Sequence, residues 1–116
     1  MNTALSYQYR DAANYKQCCR VVFAGEITAA ERSAMLANLD DGQFFLAGQV
    51  GLEDLQGRFG RFYEDDHVWH ELEPEDIELT DAPATEVVDI HAFATLVATA
   101  VWDVHAAQDR IGLVAQ

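Results

Sequence analysis

Two β-forming runs near the start of the chain constrain its fold more than any other feature. Leu5, Tyr7 and Tyr9 alternate with polar residues, which is the period of a strand with one buried face. A second β-rich run covers residues 18–24 and is joined to the first by the polar segment 11–17. The pattern predicts an antiparallel hairpin whose apolar face is covered by other elements.

Two helices are expected to provide this cover. Thr28 and Glu31 have the spacing of a capping box, which predicts a first helix over about residues 28–39. Asp89 is a suitable N-cap for a second helix over about residues 90–107. The fold class is therefore predicted to be α+β, with a small antiparallel sheet packed by two main helices in a single domain of 116 residues. The predicted inward residues are Met35, Leu36 and Leu39 in the first helix and Ile90, Phe93, Val97, Ala100, Val101 and Val104 in the second.

Shorter elements are expected between the two helices. Strands are predicted at residues 44–46, 68–72 and 77–80. Pro74 should separate the last two, because proline has no amide proton to donate to a sheet. A short helical turn is expected around residues 53–56.

The charge of the chain is large and unevenly placed. Twenty acidic and seven basic residues give a formal net charge of −13. Residues 1–61 contain seven carboxylates and six basic side chains, whereas residues 62–116 contain thirteen carboxylates and Arg110 as their one basic residue. This acidity disfavours nucleic acid and anionic membranes as partners, and it favours a basic protein.

The sequence also indicates a compartment. Its first residues lack the basic and apolar regions of a secretory signal, and the apolar window at residues 92–102 is shorter than the roughly 20 residues of a membrane-spanning helix. Cys18 and Cys19 are adjacent, and adjacent strand residues point to opposite faces, so two reduced thiols are expected. A cytoplasmic location is predicted.

Residues 64–78 combine negative charge with imidazole and an aromatic side chain. This segment holds eight carboxylates, His67, His70 and Trp69, and no lysine or arginine. In a strand, His67, Trp69 and Glu71 would share one exposed face, while His70 would lie on the buried face. The binding candidates are accordingly Asp65, Asp66, His67, Trp69 and Glu71.

His67 and His70 are also the candidates for metal ligands, but their spacing is unfavourable. Zinc needs ligands that converge at about 2.0 to 2.3 Å, and a strand would send these two side chains to opposite faces. The order of residues also differs from the His-Glu-x-x-His pattern of zinc proteases, and no serine or cysteine stands in the context of a known nucleophile. No metal, cofactor or catalytic residue is therefore assigned, and one core histidine and one surface histidine are expected.

Three segments of the chain follow one another in a recognisable order: YRDAANYK at residues 9–16, QVGLEDLQ at residues 49–56 and DDHVWHEL at residues 65–72. In these segments the chain resembles an uncharacterised family of small bacterial proteins, over about its first two thirds. The resemblance implies a bacterial cytosolic domain, and it supplies no catalytic residues. It also suggests that the three segments share one surface or one core. Residues 46–48 depart from the family pattern, in which a proline-containing turn is expected.

Three classes of function are compatible with these features. The leading hypothesis is a binding or accessory domain whose acidic half, with Trp69 as an anchor, docks a basic partner protein. On the alternative reading of the same surface, its carboxylates only interact with water. The second hypothesis is a small metal-dependent or hydrolytic enzyme that uses Asp65, Asp66, His67, His70 and Glu71. The third is an acidic mimic of DNA, which would require evenly spaced carboxylates on a continuous surface. An enzyme is the less favoured class, and the oligomeric state is left open.

Moderate salt should stabilise the fold. We expect the melting temperature to rise when the ionic strength is raised from about 10 mM to about 150 mM, because the shorter Debye length weakens repulsion within the acidic half. Thermal unfolding followed by circular dichroism in a sodium chloride series measures this effect. A melting temperature that does not change would contradict the proposed clustering of charge.

Overall fold

A computed structural model describes residues 1–59 and 67–110 of the chain. Within these residues it forms a small antiparallel sheet of five strands together with three α-helices, so the predicted α+β class is confirmed. The strands are β1 (Asn2–Arg10), β2 (Lys16–Phe23), β3 (Phe44–Phe45), β4 (His70–Glu71) and β5 (Ile77–Thr80). The helices are α1 (Ala29–Ala37), α2 (Ile90–Thr99) and α3 (Val104–Arg110), and short 3-10 turns lie at Ala47–Val50, Leu55–Phe59 and Pro74–Asp76.

Strand β1 is the centre of the sheet. It pairs with β2 over residues 3–10, which confirms the predicted hairpin. Its other edge pairs with β5 near the start of the strand and with β4 near the end, where Gln8 lies opposite Glu71. Strand β3 then pairs with β4 and ends this side of the sheet.

The core lies between the helices and one face of the sheet. Alternate residues of β1, namely Leu5, Tyr7 and Tyr9, are buried in one apolar cluster with residues of both α1 and α2. Across this layer the ring of Phe23 stacks on that of Phe93, with 4.4 Å between the centroids. The alternation seen in the sequence therefore marks the buried face, as predicted.

Helix α1 begins at the predicted capping box. The Thr28 hydroxyl accepts a hydrogen bond from the Glu31 N–H at 3.1 Å, and the Glu31 carboxylate accepts one from the Thr28 N–H at 2.9 Å. Met35 and Leu39 are buried and Leu36 is partly buried against the core, so the predicted inward stripe is also confirmed.

The predicted single helix over residues 90–107 is wrong, because two helices occupy this range. Helix α2 begins after the N-cap Asp89, as predicted, but ends at Thr99. The side-chain amide of Asn38 donates hydrogen bonds to the carbonyls of Val97 and Ala100, at 2.8 and 2.9 Å. The Val97 carbonyl also accepts the N–H of Ala100 at 3.4 Å, and Asn38 adds a partner for each of the two carbonyls at the C-terminus of α2 from a distant part of the chain.

A second polar side chain holds the segment between α2 and α3. Gln49 donates a hydrogen bond to the carbonyl of Val101 at 2.6 Å and accepts one from the N–H of Asp103 at 3.0 Å. Asp103 then accepts a hydrogen bond from the N–H of Ala106 at 3.0 Å and so caps the start of α3. Val101, which was predicted to face inward, is 85% exposed as a result.

The shorter elements agree with the sequence in part. The strand predicted at residues 77–80 is confirmed as β5, and Pro74 lies in the turn that precedes it. The strand predicted at residues 68–72 is limited to the two residues of β4, and the one at 44–46 to the two residues of β3. The helical turn expected at 53–56 begins later, at Leu55.

The outer edge of β2 is covered by other parts of the chain. Thr85 donates its N–H to the carbonyl of Val22 at 2.8 Å, and its hydroxyl accepts the N–H of Val22 at 2.9 Å. The Arg58 guanidinium donates to the carbonyl of Cys18 at 3.2 Å, and Ala24 forms an isolated bridge with Asp89. Backbone groups that would otherwise be open at a sheet edge are thereby occupied.

Cys18 and Cys19 are free thiols, as predicted. Among the helices of residues 1–59 and 67–110, none has both the length and the hydropathy needed to cross a bilayer.

Replacing Asn38 with alanine should destabilise the protein by about 1 to 2 kcal/mol, because two hydrogen bonds at the end of α2 would be lost. Urea unfolding measures the change in the free energy of unfolding. Ser33→Ala, at an exposed position of the same helix α1, is the matched control and should lie within about 0.5 kcal/mol of the wild type. Equal stability of Asn38→Ala and the control would contradict the capping role.

Candidate functional site

The segment of residues 67–72 has the two faces that its sequence predicts. Val68, His70 and Leu72 are buried, whereas His67, Trp69 and Glu71 are only partly buried. Three of the five predicted binding residues are thus placed on one side of this segment. The other two, Asp65 and Asp66, lie outside the described residues.

His70 is a core residue, as predicted. Its ring is 1% exposed and lies against the rings of Tyr7, Tyr9 and Phe45, at centroid distances of 6.0, 5.3 and 6.0 Å. Its Nε2 accepts a hydrogen bond from the N–H of Leu55 at 3.0 Å. The imidazole is therefore neutral, with its proton on Nδ1, which lies 3.3 Å from the carbonyl oxygen of Val68.

Burial lowers the pKa of His70 to about 4, against the opposing effect of the Asp54 carboxylate. An Asp54 oxygen lies 3.5 Å from Nε2, within the range of an ion pair. However, the Leu55 N–H already occupies the lone pair of Nε2, and the Asp54 carboxylate accepts the N–H of Gln56 at 3.0 Å. We therefore assign His70 a structural role, in which it joins β4 to the 3-10 turn at Leu55–Phe59.

The exposed side of the segment contributes to a cleft between three rings. Phe44, His67 and Trp69 line a surface cleft of about 230 Å³, called the aromatic cleft below. Phe44 lies directly opposite Glu71 in the pairing of β3 with β4, so the two side chains share a face of the sheet. The aromatic cleft and the Glu71 carboxylate are therefore neighbours.

Two walls of the aromatic cleft are fixed by the residues behind them. The His67 ring packs on that of Tyr9 at a centroid distance of 5.1 Å, and the Tyr9 hydroxyl donates to the His67 carbonyl at 2.6 Å. Nδ1 of His67 accepts the backbone N–H of Trp69 at 3.0 Å, so this nitrogen carries no proton. Trp69 packs against a second apolar cluster, which contains Leu46, Val68 and Ala107.

The third wall is held by the backbone. Phe44 exchanges two hydrogen bonds with Asp40, in which the N–H of each residue donates to the carbonyl of the other at 2.8 and 2.9 Å. The carboxylates of Asp40 and Asp41 remain at exposed positions beside this bridge. The chain therefore brings two acidic side chains close to the Phe44 wall.

Glu71 is held in a fixed position next to the aromatic cleft. One of its oxygens lies 3.3 Å from Nε of Arg10, and the other accepts a hydrogen bond from the Gln8 amide at 3.3 Å. Both partners belong to β1. The charge of this predicted binding residue is consequently balanced within the fold.

The acidic half of the sequence is partly neutralised in the fold by arginines of the other half. Besides the Arg10 pair, Arg20 forms an ion pair with Glu78 at 2.5 Å, and Arg32 donates to the carbonyl of Pro74 at 2.6 Å. Three arginines of the nearly neutral half thus contact the acidic half.

Several other carboxylates serve as local caps. The side chains of Asp76, Asp89 and Asp103 accept hydrogen bonds from backbone N–H groups at 3.2, 2.8 and 3.0 Å. Such bonds stabilise the starts of helices and turns. Part of the acidity of the chain is therefore structural.

The residues proposed for a hydrolytic or metal site are not brought to one point. The His67 and His70 rings both contact Tyr9, but Nε2 of His70 accepts the N–H of Leu55 and Nδ1 of His67 accepts the N–H of Trp69. Glu71 is held by Arg10 and Gln8. In the part of the chain that the structure describes, no group of three or more His, Cys, Asp or Glu side chains is arranged to hold a metal ion.

The three segments that resemble the bacterial family meet around His70. Tyr9 of the first segment contacts His67 and His70 of the third, and Leu55 of the second donates its N–H to His70. They therefore contribute to one core region. Membership of the family remains a prediction.

Phe44 was missed as a surface residue because it was assigned to a short buried strand. Phe44 and Phe45 are adjacent in β3, and adjacent strand residues point to opposite faces. Phe45 is 1% exposed, whereas Phe44 is partly exposed. The strand period could have predicted that one of the two rings is outside the core. It could not have predicted that this ring lies beside Trp69.

A second, apolar groove lies at the other end of α2. It has a volume of about 300 Å³ and is lined by residues 85–88, Leu96 and Phe23 among others. Val87 at its rim is fully exposed. The sequence did not indicate this groove, and Glu86 is ionisable among the described residues that line it.

No family model, curated protein or solved structure matches this chain. The class of protein is accordingly inferred from the fold and the aromatic cleft alone.

The free energy of unfolding should fall as the pH is lowered, because His70 binds a proton in the unfolded state at a pH where the folded state keeps it neutral. The ordinary histidine pKa is about 6.5, and the folded state lowers that of His70 to about 4, so the neutral ring stabilises the fold fully above pH 6.5. This contribution should be lost as the pH falls from about 6.5 to about 4, by on the order of 3 kcal/mol. Urea unfolding between about pH 7 and about pH 4 measures the effect.

His70→Gln is the matched variant, because glutamine has an amide oxygen to accept a hydrogen bond but does not titrate. The other histidines are common to both proteins, so the difference between the two pH profiles reports on His70. Identical slopes over this pH range would contradict the neutral assignment.

Proposed function

We propose that this protein is a binding domain that docks a basic segment of a partner protein at the aromatic cleft. The observation that carries the proposal is the aromatic cleft itself, a preformed gap between Phe44, His67 and Trp69 in a chain with a net charge of −13. Large aromatic side chains supply much of the contact energy at protein interfaces. Clustered acidic charge accelerates association with a basic surface and selects against acidic partners.

The charges around the aromatic cleft support a basic partner. Asp40 and Asp41 are exposed next to the Phe44 wall, whereas the charge of Glu71, opposite Phe44 in the sheet, is balanced by Arg10 and is not counted among them. In the sequence, Glu64, Asp65 and Asp66 immediately precede His67. Arg10 is the basic residue paired with Glu71, and that pairing holds Glu71 in place.

A binding role is better supported than catalysis. His70, one of the two histidines available to a hydrolytic site, is neutral and buried among aromatic rings. A general acid or base must reach its substrate within hydrogen-bonding distance, which a buried imidazole with both nitrogens occupied does not do. The DNA-mimic alternative is also less well supported, because Asp76, Asp89 and Asp103 bond to the backbone rather than forming an even outer array. We place the interaction in the cytoplasm, the reducing compartment that two free thiols favour.

Replacing Trp69 with alanine should weaken binding of the partner at least about tenfold, because it removes one wall of the aromatic cleft. The wild-type protein would first be used at low salt to isolate its partner, which should be basic. The purified pair would then be measured by isothermal titration calorimetry. Val87→Ala, which truncates a fully exposed apolar residue in the second groove, is the matched control and should bind normally.

Charge can be tested separately from the aromatic wall. Asp40→Asn together with Asp41→Asn keeps the backbone bridge to Phe44, and asparagine tolerates the positive φ of 52° at Asp41. This variant should associate more slowly at low salt and show a weaker salt dependence. Asp81→Asn is the control for charge and should behave as the wild type. Asp81 follows β5, which ends opposite Asn2, so it lies about 20 Å along β1 from Gln8, the residue opposite Glu71. The proposal fails if Val87→Ala weakens binding while Trp69→Ala does not, or if the isolated partner is acidic.

A further inference from the structure

We infer that the aromatic cleft receives a single lysine or arginine side chain, which the partner inserts between the rings of Phe44, His67 and Trp69. This inference rests on the proposed function and specifies the chemical group that the site recognises. The charge of a cationic head is attracted to the faces of aromatic rings, while its methylene stem packs against them.

The size of the aromatic cleft suits one side chain. Pockets for drug-sized ligands have volumes of roughly 300 to 1,000 Å³. The aromatic cleft, at about 230 Å³ and open to the surface, is smaller than these. One extended side chain with its head near the rim matches this volume better than a metabolite does.

The His67 wall is held in place by a hydrogen bond and by packing. Nδ1 of His67 accepts the N–H of Trp69 at 3.0 Å. The contact with Tyr9 behind the ring holds it in the orientation that closes the aromatic cleft.

The walls are in place before any ligand arrives. Tyr9 supports His67, the second apolar cluster supports Trp69, and the bridge to Asp40 fixes the backbone of Phe44. A preorganised site avoids the cost of ordering side chains on binding. Asp40, which forms that bridge, and its neighbour Asp41 are exposed acidic residues beside the Phe44 wall.

A cationic guest explains the surroundings better than an apolar one. An apolar side chain would gain contact energy from the rings but no attraction from the acidic residues beside them. The second groove, whose described lining is mainly apolar, is a more suitable place for such a side chain. A second copy of this chain would bring another net charge of −13 to the same surface. Both alternatives are outcomes of the test below.

The probe is a neutral glycine-serine peptide with one central arginine, compared with the same peptide containing citrulline. Citrulline has nearly the shape of arginine but no charge, so the pair isolates the cation. Binding is followed by ¹⁵N nuclear magnetic resonance, in which the indole N–H signals of Trp69 and Trp102 are separate reporters. The Trp102 indole donates to the Asn38 carbonyl at 2.9 Å and serves as an internal control for folding.

We expect the arginine peptide to shift the Trp69 indole signal and to bind about three- to thirtyfold more tightly than the citrulline peptide. Trp69→Leu, which keeps an apolar side chain but removes the ring and its indole signal, should reduce this preference when binding is followed by the backbone N–H signals of Phe44 and His67. A Trp102 indole signal that remains dispersed shows that the variant is folded, although its position can move because both tryptophans pack on the second apolar cluster. Phe44→Leu, at the short edge strand β3, is the second variant and should have a similar but smaller effect.

Equal binding of the two peptides would overturn the inference, as would shifts that map to residues 73–78 instead of the aromatic cleft. Mutual line broadening at high protein concentration without peptide, dependent on Trp69, would indicate a second copy as the occupant. Docking of a basic partner that depends on Trp69, together with equal binding of the peptides, would leave the proposed function intact and reject this inference alone. Selective binding of the arginine peptide, with no basic partner isolated, would support the recognition of a cationic side chain and reject the proposed partner protein.

Discussion

Strand β1 has hydrogen-bonded neighbours on both edges, and the core and the candidate site depend on this position. Two of its inward side chains, Tyr7 and Tyr9, cross the core and donate their hydroxyls to the carbonyls of Glu53 and His67, at 2.8 and 2.6 Å. Burial raises the pKa of Tyr7 far above its ordinary value, so its phenol remains a donor. One strand therefore aligns the sheet, ties down the loop before the 3-10 turn and supports a wall of the aromatic cleft.

The acidity of the chain has more than one origin in the fold. Carboxylates such as Asp89 and Asp103 cap helices, and Glu71 and Glu78 pair with arginines of the first half of the chain. Within residues 1–59 and 67–110, Asp40 is an example of an exposed carboxylate that makes no such bond. Net charge overstates the potential at any one surface, because a capping or paired carboxylate is already compensated locally. The binding proposal consequently relies on the rings and the few acids beside them.

The sequence predicted what depends on neighbouring residues and missed what depends on distant ones. The hairpin and the Thr28 capping box depend on residues that are close together in the sequence, so both were predicted. The end of α2 depends on Asn38, which lies 59 residues before Val97. The helical pattern of residues 90–107 therefore could not predict where the helix ends. In the candidate site, the predicted alternation of buried and less buried residues holds from His67 to Leu72, although His70 and Glu71 alone form a strand there. The Phe44 wall depends on pairing between β3 and β4, which a single sequence does not display.

The covering of the β2 edge has a consequence for how this protein meets other molecules. Thr85 and Arg58 satisfy the backbone groups of Val22 and Cys18 that would otherwise serve as a template for an added strand. At the opposite side, β3 is only two residues long. Growth of the sheet by addition of a foreign strand, the first step toward a fibril, is thereby disfavoured at both ends. The proposed docking at the aromatic cleft accordingly uses side chains and not a sheet edge, and the surface residues that would set its specificity can change without disturbing the sheet.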